Sequence, residues 1–296
     1  MYKFGILTSL YDDEAPKLLK TIDGAIESGI IKGEVPLVFC DRREGRDAAV
    51  DARIGRVRQL RHLNNIALLP PSGFHITGDN EERRAQYDSA VAKILSDLGA
   101  SSFLNIGYMR IMGPELYDRL DIVNLHPALP EIGPKGMWKD VMKEQAERPL
   151  HELTEAGNEA EMCRILQNRN YMAGGMLHLV SGEVDRGQVI SWYEFPLTSS
   201  RLYEMWGQNA GNARTCGIEE AKKMQEFEEL AGEIRREQVQ GEHPLLVLTY
   251  SKLSRGDWSI RDRVLYAGNE PQQGGMNVSG EVGKYLREAV IETAIR

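Results

Sequence analysis

Cysteine is scarce in this chain, with three residues, Cys40, Cys163 and Cys216, among 296. They lie far apart, are odd in number and form no C-x-x-C pair. That spacing indicates neither a disulfide framework nor a cysteine zinc site. No run approaches the roughly 18 apolar residues of a membrane span. The start, Met1–Leu10, has one lysine and a short apolar run before Asp12, Asp13 and Glu14. It lacks the longer apolar region and small-residue cleavage site of a secretory signal. Positive charge is also in deficit. The formal net charge of −8 argues against a protein that binds nucleic acid through bulk charge. The cytoplasm is the simplest compartment. The four histidines His62, His75, His151 and His243 offer no pair with metal-ligand spacing beside a carboxylate, so no metal is expected.

What the chain does have is the composition of a globular protein, 42% hydrophobic and 27% charged, with ample length for a core. The N-terminal half alternates in type. Short apolar runs at Tyr2–Leu7, Val35–Cys40, Ile66–Leu69, Ser102–Ile106 and Asp121–Asn124 read as strands. Helical spacing fills Pro16–Ser28, Asp47–Leu63 and Glu81–Leu98. The rhythm predicts an α/β fold, a Rossmann-like, mostly parallel sheet flanked by helices. Past residue 130 the pattern shifts. The polar stretch Glu131–Gly174 predicts one or two helices, Gly175–Val180 and Val189–Phe195 two strands, and Glu219–Gln238 a helix. A separate helix begins at Pro244 and stops near Gly256. Residues 260–296 end in a short helix.

The most informative segment is Asp121–Pro130, DIVNLHPALP. Asn124 and His126 are two apart at the end of an apolar strand, so both face one side of an extended chain. Pro127 biases His126 towards the extended form. The carboxyl ends of strands in an open parallel sheet open into the ligand crevice, so an amide and an imidazole would face one cavity. A second segment, His178–Gly187, places Asp185 in a glycine-flanked turn after a strand. Each feature has a plainer explanation. Asn124 can cap a turn, His126 can be a surface histidine, His178 a hydrogen-bonded structural one, and Asp185 an ordinary turn residue.

Three blocks carry a family resemblance. Gly107–Met112 (GYMRIM), Asn124–Pro130 (NLHPALP) and His178–Asp185 (HLVSGEVD) resemble segments of the folate-dependent formyltransferases, typified by glycinamide ribonucleotide formyltransferase. Arg235–Glu237 followed by His243–Leu246 is a fainter match. The resemblance implies the formyltransferase fold and transfer of a formyl group from 10-formyltetrahydrofolate to a small-molecule amine, without metal. It implies a catalytic trio, Asn124, His126 and Asp185. Donors aimed at the formyl oxygen stabilise the charge it gains in the transition state. Asn124 donates through its amide, protonated His126 can do so too, and Asp185 favours that protonated form or takes a proton from the amine. The resemblance also lays the pterin against Tyr108, Met109, Arg110, Ile111 and Met112 and against Ser181, Gly182, Glu183 and Val184. Met109 and Met112 would supply adaptable apolar surface.

The chain departs from the family's pattern in two places. Where the ribonucleotide enzymes hold substrate phosphate on a Gly-Ser-Asn loop at a helix start, this chain has Thr8–Glu14, with no glycine and three carboxylates. Those carboxylates would repel a phosphate, so glycinamide ribonucleotide is not the expected acceptor. The alternative is that phosphate sits elsewhere, near the seven arginines between Arg42 and Arg61 or near Arg235 and Arg236. Second, His126 and His178 are 52 residues apart, longer than the family interval. The surplus, about residues 146–174, is an insertion in a catalytic domain spanning 1–258, and residues 259–296 form a C-terminal extension. A homodimer is compatible with this many helices and a long insertion. The competing functions are a 10-formyltetrahydrofolate hydrolase and a catalytically silent folate-binding module. The related hydrolases usually carry an extra N-terminal domain, and this chain starts with its first strand. A methionyl-tRNA formyltransferase is rejected, because residues 260–296 are short and balanced in charge. A nicotinamide dehydrogenase ranks last, because the first strand–helix turn has no G-x-G-x-x-G.

Overall fold

A computed structural model describes residues 1–68 and 81–295, with side chains as far as residue 288. The last residue of the strand expected at Ile66–Leu69, and His75, lie outside the described residues. Eight elements make up the first half of the sheet and its connections. They are β1 (Tyr2–Thr8), α1 (Glu14–Glu27), β2 (Gly33–Glu34), β3 (Val38–Cys40), α2 (Ala48–Arg58), β4 (Ile66–Leu68), α3 (Glu81–Ser96) and β5 (Ser102–Asn105). Then follow α4 (Pro114–Tyr117), β6 (Ile122–His126), α5 (Trp138–Glu147), α6 (Leu150–Glu155), α7 (Glu159–Leu166), β7 (Ala173–Leu179) and β8 (Val189–Phe195). The remainder comprises α8 (Ser200–Cys216), α9 (Ile218–Ala221), α10 (Gln225–Arg255), β9 (Trp258–Arg261), β10 (Val264–Ala267), β11 (Glu270–Pro271), β12 (Met276–Asn277) and α11 (Ser279–Ile295).

The main sheet runs β12-β8-β7-β6-β5-β1-β3-β4, with β2 beside β1. The pairings of β1 with β2, β3 and β5, of β3 with β4 and of β5 with β6 are all parallel. The expected mostly parallel α/β sheet is thus the one observed. Its centre is apolar on both faces, as a sheet covered by helices requires. Phe4, Ile6 and Leu7 of β1 are fully buried. Gly5 lies opposite Phe103 of β5, and a Cβ there would fall 2.5 Å from the Phe103 ring, so the ring packs directly on the β1 backbone.

The described residues form two compact units, interleaved in sequence. One holds residues 1–125, 177–191 and 245–276, the other residues 126–176, 192–244 and 277–296. In the first, Leu7, Phe39, Phe103 and Ile122 of the sheet pack with Val91 and Leu95 of α3. In the second, Met142, Leu153 and Leu166 of α5–α7 pack with Trp206 of α8 and Leu230 and Ile234 of α10. The stretch 146–174 belongs to the second unit.

Several elements differ from the sequence reading. The helix after β3 ends at Arg58 rather than near Leu63. Asp47 caps its start, accepting from the amides of Ala49 (2.8 Å) and Val50 (3.3 Å). Beyond its end, Asp23 of α1 takes the amides of Arg61 (3.2 Å) and His62 (2.6 Å), giving these donors partners other than helix carbonyls. The two helices expected at Glu219–Gln238 and from Pro244 are instead one 31-residue helix, α10, with Pro244 inside. An interior proline removes one helix bond and costs about 3 kcal/mol. Leu230 and Ile234 before it and Leu245, Leu246 and Tyr250 after it are all fully buried, and that burial outweighs the local penalty. Glu131–Gly174 holds three α-helices and a single 3-10 turn at Arg169–Tyr171 rather than one or two helices. Residues 258–271 form a separate antiparallel sheet, β11-β10-β9, and α8 was not anticipated.

One buried carboxyl makes the fold sensitive to pH. Asp88 of α3 is 1% exposed, and its Oδ2 accepts from the Gly113 amide at 2.6 Å. Burial pushes this carboxyl above the usual range, against the Gly113 bond, and nearby Glu115 adds to the rise. A folded value above the unfolded one means that stability is complete below the ordinary carboxylate range of about 3.9. It is lost as pH rises through the folded value. Asp88→Asn keeps an acceptor for Gly113 and carries no charge. Its thermal midpoint is expected to exceed the wild type's at pH 7, with the gap closing as pH falls towards 4. Melting curves across that range check this, and a gap independent of pH contradicts it.

Candidate active site

Asn124 is half-buried on β6, paired in register with Asn105 of β5. Asn105 accepts the Tyr108 amide at 2.8 Å through Oδ1, and Ser9, just past β1, accepts the Met109 amide at 2.9 Å. With Asp88 holding Gly113, segment 108–112 is pinned at both ends. Its side chains then divide. Tyr108 and Met112 turn into the core. The Tyr108 hydroxyl donates to that of Tyr87 at 3.3 Å, and burial pushes both phenols up, keeping them protonated. Arg110 places Nε 2.6 Å from buried Asp41 and lies over the Tyr87 ring. Met109 and Ile111 remain at the surface, Ile111 65% exposed. Apolar surface here therefore comes from Met109 and Ile111, not from the expected pair Met109 and Met112.

The second segment is a loop between β7 and β8. Ser181 Oγ donates to the Glu183 carbonyl at 3.1 Å, and the Arg186 amide donates to it at 3.3 Å. Val184 is 55% exposed. Gly182 leaves room for the Tyr117 hydroxyl, which would be 3.1 Å from a Cβ there. Gly187 is obligatory, because its Cβ would fall 1.7 Å from the Leu179 carbonyl oxygen. Asp185 itself is left-handed, with φ +53°, a conformation that asparagine and aspartate tolerate better than other side chains.

The loop brings Asp185 to Asn124. The Asn124 amide nitrogen lies 3.4 Å from Asp185 Oδ1 and 3.1 Å from His178 Nε2. His178 is 2% exposed, and its Nδ1–H donates to the Leu179 carbonyl at 3.0 Å. That bond leaves Nε2 as the acceptor for one Asn124 proton, while Asp185 accepts the other. The amide orientation follows, because a carboxylate can only accept. His178 Nε2 and Asp185 Oδ1 are 3.6 Å apart, so protonation of the imidazole would create an ion pair. The structure thus gathers Asn124, Asp185 and His178, the last of these a residue for which the sequence offered a structural role as readily as a chemical one. His126 is 2% exposed, and its Nε2 donates to the Pro134 carbonyl at 2.8 Å.

At the start of α1, Asp12 Oδ1 accepts from the amides of Glu14 (3.1 Å) and Ala15 (3.3 Å). Asp13 pairs with Arg53 (3.1 Å) and Arg56 (2.5 Å). The helix-terminal donors that elsewhere receive an anion are thus taken by the chain's own carboxylate. Among the described residues, no three His, Cys, Asp or Glu side chains are grouped as metal ligands, and no helix is long and apolar enough to cross a membrane.

No family model matches the chain. A phosphoribosylglycinamide formyltransferase from Schizosaccharomyces pombe is 27% identical over 193 residues, 63% of this chain and 80% of that protein. Two solved structures share the fold. The phosphoribosylglycinamide formyltransferase of Coxiella burnetii aligns with a TM-score of 0.58 at 17% identity, covering 93% of this chain and 98% of its own. The glycinamide ribonucleotide transformylase 1 of Symbiobacterium toebii aligns at 0.54 and 20% identity, covering 90% and 94%. The resemblance read from the three sequence blocks is borne out: the chain is similar in sequence to one folate-dependent formyltransferase and shares the fold of two others, all of them enzymes.

Proposed function

We propose that this chain transfers a formyl group from 10-formyltetrahydrofolate to an amine that carries no phosphate at the start of α1. The observation that carries the reading is the Asn124–Asp185–His178 contact at the carboxyl end of β6, where a parallel sheet binds its ligands. The formyl-folate supplies an activated one-carbon group. Backbone of Tyr108–Met112 and Ser181–Val184 would read the pterin's polar edge, with exposed Met109, Ile111 and Val184 as its apolar surface. Asn124 donates to the oxygen that gains charge as the amine adds. His126 supplies a second donor when it exchanges the Pro134 carbonyl for that oxygen. Asp185 accepts the proton that the amine must lose. In the resting site both Asn124 protons are already held, by Asp185 and His178, so the amide is oriented before substrate arrives.

The acceptor's character follows from α1. Asp12 fills the donors that a phosphate would need, and the arginines nearest them, Arg53 and Arg56, are held by Asp13. A neutral or cationic amine fits that environment better than a phosphorylated one. The test is release of tetrahydrofolate from 10-formyltetrahydrofolate, alone and with a panel of amines including glycinamide ribonucleotide. Release that depends on phosphate-free amines is expected. Release in water alone would mean a hydrolase, binding without turnover a silent module, and preference for the ribonucleotide would overturn the acceptor argument.

A further inference from the structure

We infer that the C-terminal sheet is a two-point clamp on the loop that carries Asp185, with Arg263 as its principal positioning residue. The inference rests on the reading of Asp185 above and concerns what holds that residue in place. The β9–β10 hairpin turns at Asp262 and Arg263, both left-handed with φ of +49° and +60°. A two-residue turn of that kind normally uses Asn-Gly or Asp-Gly. Arginine at its second position puts a bulky side chain on strained, left-handed backbone. Here the side chain is tied down at its far end. Arg263 Nη1 donates to the Tyr117 carbonyl at 2.6 Å, and Nη2 donates to the carbonyl of Val180, the residue immediately before Ser181. Nη1 also lies 3.9 Å from Asp121, which precedes the strand that holds Asn124.

The second point lies past the loop's other end. Gln188 Nε2 donates to the carbonyls of Gln272 (3.0 Å) and Gln273 (2.8 Å). Residue 275 must be glycine there, at φ +69° and with a Cβ that would meet Val189 at 2.7 Å. Residues 181–187 are therefore held on both sides by one short stretch, 263–273. Asp185 within them holds a left-handed conformation that the anchored ends of the loop help to fix. Freed at either end, the loop relaxes and the carboxylate leaves Asn124. A misplacement of about 1 Å remote from the chemistry can cost about 10²-fold in rate.

The test uses the full-length protein. Arg263→Gly removes the side chain and relieves the turn's strain, so it folds even if Arg263→Ala does not. Gln188→Ala releases the second point. Both are expected to speed amide hydrogen exchange across residues 181–187 by at least roughly tenfold, with protection of β1 and β5 unchanged. In the transfer assay Arg263→Gly is expected to lower kcat about 10²-fold with KM for the amine unchanged, and Arg263→Lys to recover part of the loss. In an Asp185→Asn background, Arg263→Gly should cost less than roughly threefold more, because it acts through Asp185. Unchanged exchange in 181–187 overturns the clamp. Faster exchange with wild-type kcat overturns the positioning role. Absence of turnover in the wild type counts against the proposed function alone, and the exchange measurement still decides the clamp.

Discussion

Asp185→Asn is expected to lower kcat for formyl transfer by about 10²–10⁴-fold, the contribution of a positioned general base, while the protein stays folded. The substitution keeps the shape of the side chain. It also suits the backbone, because asparagine accepts the left-handed conformation that Asp185 holds at φ +53°. An oxygen remains to accept from the Asn124 amide, now 3.4 Å away. What disappears is the charge, and with it the capacity to take a proton from the amine and to pair with protonated His178 at 3.6 Å. The variant therefore separates chemistry from architecture. Initial rates of tetrahydrofolate release with the best acceptor from the amine panel give the first quantity, and a thermal melt gives the second. Turnover within a few-fold of wild type would remove Asp185 from the mechanism. A collapse of the melting midpoint would instead assign it to the fold.

How far such residues could be seen in the sequence depended on the range of the interactions that place them. β1, β5 and β6 were legible because apolar strands in a buried parallel sheet announce themselves as short continuous runs, and Phe4, Ile6 and Leu7 are fully buried as such runs require. Asn124 and Asp185 were legible because each sits in a short motif with its own local logic, a strand end before proline and a glycine-flanked turn. Gly187 belongs to that same logic, since no other residue can pass the Leu179 carbonyl. α10 was misread for the opposite reason. Pro244 is a strong local stop, and what overrules it is burial of leucines and a tyrosine distant in sequence from their partners. The hairpin at Asp262-Arg263 has no glycine to mark it, and its turn is held by an arginine whose contacts, Tyr117 and Val180, lie 146 and 83 residues away. No composition or period in 258–273 encodes that. The same holds for the fate of Met112. Alternation cannot distinguish a methionine that lines a slot from one that fills the core, and packing against α3 decided it.

Replacing Asn124 with alanine is expected to cost about 10²–10³ in kcat, the loss typical of one donor to a developing oxyanion, with a smaller effect on KM for the amine. The amide has a second consequence. In the resting site it stands between a carboxylate and an imidazole, donating to both. Without it, His178 Nε2 and Asp185 Oδ1 face each other directly, 3.6 Å apart. The alanine variant therefore loses the group that orients Asp185 as well as a donor to the oxyanion. Asn124→Asp sharpens the comparison. It is nearly isosteric but puts a second carboxyl beside Asp185, and two carboxyls that close cannot both ionise freely. One of them should hold its proton above the usual carboxylate range, so any recovery over alanine should fall away as pH rises through that raised value. Combining Asn124→Ala with Asp185→Asn should cost far less than the product of the single losses, as for residues that act as a unit. Full multiplicative loss would mean that the two side chains work independently and that their contact across the loop is incidental to the reaction.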